Sequence, residues 1–154
     1  MIWVGVDPGA KGGFCIMAES DTGRMVNAYA WDDQLFIGEM RALAHFNKPP
    51  EGHVIAAVEK VGAMPGNGSV SMFRFGQSYG FILGVLEGLT IPYQVVPPKE
   101  WKKEFGLNSD KEKSIEVCRK LFPTLNLRRN EHCRTDSDGI AESALICEWG
   151  RRHL

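Results

Sequence analysis

Two apolar runs in this sequence, IWVGVD and HVIAAVE, each stop on a carboxylate, Asp7 and Glu59, and a further pair of acids, Asp136 and Asp138 in DSDGIAESALI, opens an apolar stretch near the C-terminus. Each acid alone has an ordinary explanation. An aspartate before Pro-Gly bonds the backbone of its turn, a glutamate at a strand end faces water, and an aspartate before a helix caps it. The combination points to a different chemistry. Carboxylates brought side by side raise one another's pKa unless a cation neutralises them, and hard oxygen donors with few other polar groups suit magnesium or manganese. An acid at the end of a buried strand is then a metal ligand on a rigid platform.

The elements that must position these acids follow from the hydrophobic pattern. Residues 2–7 read as a buried strand, 13–18 as its hairpin partner across the Pro-Gly-Ala-Lys-Gly turn, and 25–31 as a third strand. Asp32 or Asp33 resembles an N-cap for a helix running toward Phe46, which Pro49-Pro50 ends. A fourth strand covers 53–59, and the Gly-, Pro- and Asn-rich segment 61–69 leads into a helix over 70–89. A fifth strand covers 91–96. A short helix over 99–105, a helix over about 110–122, an irregular loop to Ser137 and a closing helix through Trp149 complete the chain. The pattern predicts an α/β fold, a mixed five-stranded sheet with helices on both faces, in one domain spanning residues 1–154. Asp7 and Glu59 meet if their strands are neighbours, and Asp136, Asp138 or both join them at the start of the last helix.

One feature of the 70–89 helix needs its own reason. Gly76, Gly80, Gly84 and Gly88 recur every fourth residue, although a glycine inside a helix costs about 1 kcal/mol relative to alanine. Close approach of another backbone supplies the reason, either the domain's own sheet or a helix of a second subunit.

At 154 residues, 44% apolar and 24% charged, the chain can bury a sizeable core. No apolar run is long enough to span a bilayer and no secretory leader is evident, so a soluble, cytoplasmic protein is expected. Cys15, Cys118, Cys133 and Cys147 lack close pairing and are expected to be incidental thiols. The net charge is -1, but the C-terminal third, from Lys99 onward, is net positive and the remainder net negative.

The residues also carry a resemblance. VGVDPG, AVEKV, FRFGQSYG, PPKEWKK, DKEKS and DSDGIAESALI occur in the order and at about the spacing found in the RuvC-type Holliday junction resolvases of the ribonuclease H-like superfamily, and are most similar to the phage-borne branch. The resemblance covers essentially the whole chain. It implies that Asp7, Glu59 and Asp138 are catalytic metal ligands, with Asp136 as the fourth and Glu142, one turn beyond Asp138, as its competitor. Lys102 and Lys113 fall where the family has basic residues near the scissile phosphate, with Lys113 preferred and Lys103 able to replace Lys102 if the register shifts by one.

The implied activity is metal-dependent phosphodiester hydrolysis of four-way DNA junctions, with two Mg²⁺ or Mn²⁺ ions per site, symmetric nicks and 5′-phosphate products. Lys99, Lys103, Lys111, Arg128, Arg129 and Arg134 are expected to meet DNA backbone, and Met64 and Phe73 are candidates for insertion at the unstacked branch centre, with core packing as the alternative for both. A homodimer is expected, because a junction presents two symmetry-related strands; if phage-encoded, the protein works in the host cytoplasm. A fork or flap endonuclease, or an RNA-processing nuclease of the same superfamily, is the alternative reading. The intact acids argue against a non-catalytic scaffold, and the chain has no room for the second domain of an actin-like ATPase.

Overall fold

The computed structural model describes residues 1–47, 53–62 and 68–154. Met64 lies outside the described residues. The elements run β1 (Ile2–Asp7), β2 (Gly13–Ser20), β3 (Gly23–Ala30), α1 (Asp33–Phe46), β4 (Val54–Glu59), α2 (Ser69–Gly88), β5 (Tyr93–Val96), α3 (Pro98–Glu104), α4 (Lys111–Leu121) and α5 (Asp138–His153). The sheet order is β3-β2-β1-β4-β5, with β1, β2 and β3 antiparallel and β4 and β5 parallel to β1 and to each other. The five-stranded mixed sheet expected from the sequence is therefore present. Asp32 is the N-cap of α1, accepting from the Leu35 N–H at 2.7 Å. The fifth strand starts two residues later than the sequence suggests, because the Ile91 N–H still bonds the Leu86 carbonyl of α2 and Pro92 has no N–H to give a ladder.

The sheet separates two cores, and the period of two along each strand assigns side chains to them. Val4, Val6, Phe14, Ile16, Ala56 and Val58 pack with Phe36 and Met40 of α1 and Ile82 and Leu86 of α2. Trp3, Cys15, Met17 and Ala57 face the other way, onto α3, α4 and α5. Asp7 continues the face of Trp3 and Gly5, and Glu59 that of Ala57, so both acids point to the α5 side.

Helix α5 lies directly on β1 because Gly5 has no side chain. A Cβ there would stand 2.3 Å from both the Cys147 nitrogen and the Ser143 carbonyl oxygen. Gly139 does the same one end lower, where a Cβ would fall 2.1 Å from the Lys11 carbonyl oxygen in the β1–β2 turn. From Gly139 to Gly150 every residue of α5 is buried except Glu142. The cysteines are free; burial pushes the Cys118 thiol up to about 12, in keeping with inert core residues.

The glycine stripe does not pack on the sheet. A Cβ at Gly76, Gly80, Gly84 or Gly88 would meet nothing within 4 Å among the described residues, so close packing on the domain's own sheet does not explain the stripe.

Candidate active site

Strands β1 and β4 run in parallel with Val6 paired to Val58, which brings Asp7 and Glu59 next to each other at the end of the sheet. The surface helix face above them supplies Glu142. Carboxylate oxygens of Asp7, Glu59 and Glu142 lie within 4.8 Å of one another, the group among the described residues best placed to hold a metal ion. Burial pushes the Asp7 carboxyl well above the usual carboxylate range, and the charges of Glu59 and Glu142 push it further, against the opposing pull of Lys102. Glu59 is raised too, by burial first, although the Trp101 indole and Lys102 work in the other direction. These acids are held where ionisation is unfavourable unless positive charge is added.

Three side chains from α3 and α4 fix the group. Trp101 Nε1 donates to Glu59 Oε2 at 2.8 Å. Lys102 Nζ stands 3.2 Å from Glu142 Oε1 and 5.0 Å from the centre of the Trp101 ring. Ser114 Oγ donates to Glu142 Oε1 at 3.0 Å. Helix α3 begins at Pro98, whose fixed φ suits a first helical turn, and its Trp101 is wholly buried. On α4, Ser114 and Cys118 are the buried residues that face α5.

The remaining acids are placed differently. Asp138 begins α5 and is bound by the Lys111 ammonium. Burial opposes its ionised form, but Lys111 and the backbone N–H groups of Asp138 and Gly139 outweigh it and hold the carboxyl below its ordinary value. Its charge still reaches Asp7 and raises it. Asp136, expected as the fourth ligand, is not brought to the group: it lies before α5 and accepts from Arg119 Nε at 2.7 Å and from Nη2 of the same guanidinium. Glu142 takes the place beside Asp7 and Glu59, because an acid on the helix itself, one turn in, faces the strand ends, whereas the loop before the helix turns toward α4.

Among the basic residues, Lys102 is in the site. Lys113, the preferred cation from the sequence, is half-buried on α4 but lies off the face that carries Lys111 and Ser114. Lys111, expected at the DNA backbone, is exposed and pairs with Asp138. Arg129 donates to the carbonyls of Ala10 and Lys11, bracing the β1–β2 turn that follows Asp7. Lys99, Lys103, Arg128 and Arg134 are exposed. Phe73 is 68% exposed on α2, so core packing does not explain it. Sequence reasoning missed Trp101, Ser114 and Arg119. Only Trp101 left a trace, as an aromatic next to Lys102 in PPKEWKK.

Solved structures resemble this chain throughout its length. RuvC of Thermus thermophilus matches at 17% identity and TM-score 0.56, covering 99% of this chain and 96% of its own. The same protein in complex with a Holliday junction substrate matches at 14% identity and TM-score 0.59, covering 99% and 97%. The fowlpox virus Holliday junction resolvase matches at 20% identity and TM-score 0.54, covering all of both chains. No protein-family model and no curated protein sequence matches the chain. At these identities the likeness establishes the fold alone, which this chain shares with RuvC and the fowlpox virus resolvase. Among the described residues no helix is long and apolar enough to cross a membrane.

Proposed function

We propose that this protein is a metal-dependent endonuclease that nicks branched DNA, four-way junctions in particular, as a homodimer. The observation that carries the reading is the convergence of Asp7, Glu59 and Glu142, three carboxylates within 4.8 Å facing the single ammonium of Lys102. The donor set fits a hard divalent cation: all oxygen, partly buried, with negative charge in excess. Asp7, Glu59 and Glu142 would hold Mg²⁺ or Mn²⁺, with Asp138 beside them and two ions per site. Bound there, divalent cations supply an activated water and stabilise the leaving oxygen of an in-line displacement at phosphorus.

The chain's own residues do the rest. The strand ends fix Asp7 and Glu59 without loop freedom, and Lys102 offsets negative charge that develops on the phosphate. The exposed cations Lys99, Lys103, Arg128 and Arg134, together with Lys113, form the surface for DNA backbone. Similar folds have been solved on Holliday junction DNA, which favours branched over linear substrates here. The open glycine face of α2, flanked by Val70 at 65% and Phe73 at 68% exposed, supports self-association.

The test is incubation of the protein with a four-way junction, a three-way junction, a fork and a linear duplex in Mg²⁺ or Mn²⁺, with nicks mapped on each strand. Paired symmetric nicks in the four-way junction are expected. Equal nicking of the linear duplex, or nicking unchanged in EDTA, overturns the reading. Sedimentation of Gly84→Leu, which has room to fold, is expected to show a monomer.

A further inference from the structure

We propose that Trp101 and Ser114 are positioning residues that hold Glu59 and Glu142 in metal-binding orientation without adding positive charge to the group; the inference rests on the metal-dependent reading above. Both are neutral hydrogen-bond donors, and both are wholly buried. The indole Nε1 reaches Glu59 Oε2 at 2.8 Å, and the hydroxyl reaches Glu142 Oε1 at 3.0 Å.

The contrast with the neighbouring acids gives the arrangement its meaning. Asp136 and Asp138 are each held by a cation of their own, Arg119 and Lys111, whereas Asp7, Glu59 and Glu142 share Lys102, which pairs with Glu142. A neutral donor occupies one oxygen lone pair and fixes the rotamer without adding positive charge, so the three acids keep negative charge in excess of the Lys102 ammonium for a divalent ion. Burial makes the hold durable. Trp101 is wholly buried in the core cluster that also contains Val96, Cys118, Leu145 and Trp149. Ser114 is enclosed between α4 and α5, and Glu142 is its hydrogen-bond partner. The two donors come from different helices and act on ligands from different elements, so α3 sets the orientation of the strand-borne acid and α4 that of the helix-borne one. Lys102, the residue after Trp101, adds the one ammonium that touches the group among the described residues.

The test uses Trp101→Phe, which keeps most of the ring volume and removes the N–H, and Ser114→Ala, which removes the hydroxyl. Thermal unfolding of the full chain is followed in EDTA and across a Mn²⁺ titration, and the affinity is taken from the rise in Tm that the metal produces. A positioning role predicts Mn²⁺ affinity about 10–100-fold weaker in each variant, seen as a smaller metal-induced rise whatever the Tm in EDTA. A purely structural role lowers the EDTA Tm and leaves the metal-induced rise at its wild-type size, which overturns the proposal. If the wild-type protein shows no metal-induced rise at all, the metal-dependent reading itself fails, and the positioning role with it.

Discussion

Glu142 and Glu148 project from the same helix, α5, into two different electrostatic settings. Glu148 is buried against guanidinium groups: Arg151 Nε and Arg152 Nε each approach to 2.8 Å, and Arg24 Nη1 stands at 3.8 Å. Burial opposes its ionised form, but the hydrogen bonds and charges of Arg151 and Arg152 prevail and hold the carboxyl below its usual value. Glu142 shares one ammonium, that of Lys102, with Asp7 and Glu59, and there burial raises Asp7 and Glu59. A buried carboxylate matched by arginine is a structural fastening. Carboxylates gathered in excess of their cations store an unfavourable charge that an external cation relieves.

If that contrast is right, removing an acid has opposite consequences at the two ends of α5. The largest effect is expected from Asp7→Asn, which should reduce junction nicking by about 100-fold or more while keeping junction binding, since less negative charge faces the phosphates. The same variant should unfold at a higher temperature than the wild type in EDTA, because it removes an acid whose ionised form burial and the charges of Glu59 and Glu142 oppose. Calorimetry with gel-based nicking reads both; nicking at the wild-type rate breaks the metal-site half of the comparison.

Glu142→Gln and Asp136→Asn sharpen it. The first should impair nicking nearly as much as Asp7→Asn and weaken Mn²⁺ binding. The second should leave metal binding close to wild type, because Asp136 is committed to Arg119. The reverse order in a Mn²⁺ titration would return Asp136 to the ligand set and take Glu142 out of it.

At the other end, Glu148→Gln should lower stability by about 2 kcal/mol by weakening charged hydrogen bonds, a Tm about 4–8 °C lower, with the metal-induced rise unchanged. The smallest effect is in pH dependence without metal. Asp7 and Glu59 have raised folded-state pKa values, so the native state binds more protons than the unfolded chain, and stability should fall as pH rises from the ordinary carboxylate range through the raised values. Glu148 has a depressed value, so its contribution is present above the ordinary range and is lost as pH falls through the folded value. Melting curves in EDTA across this range should show a shallower first slope in Asp7→Asn, with the part due to Glu59 remaining, and should lose the second in Glu148→Gln.

The strand ends were readable from the sequence because the information is local. IWVGVD and HVIAAVE announce both a buried strand and its terminal acid, and the alternation along β1 dictates the face on which Asp7 emerges. The choice between Asp136 and Glu142 was not local. It depends on Arg119, 17 residues away on α4, and on how α4 docks against α5, which no spacing within DSDGIAESALI encodes. The same limit hid Trp101 and Ser114, whose partners are 42 and 28 residues away. The glycine period was visible as a pattern, but its meaning required seeing that the space beside it is open.

Gly5 has a consequence for how the molecule breathes. With a helix backbone seated on a strand backbone, α5 and β1 have no intervening layer of side chains whose rotamer changes could let them separate by degrees. Their amide protons should therefore exchange with solvent only when the whole domain opens, and more slowly than those of the edge strand β3 or of α2, whose outer faces are exposed. Asp7 and Glu142 ride on this unit, so fluctuations of β3 and α2 should leave the gathered carboxylates undisturbed.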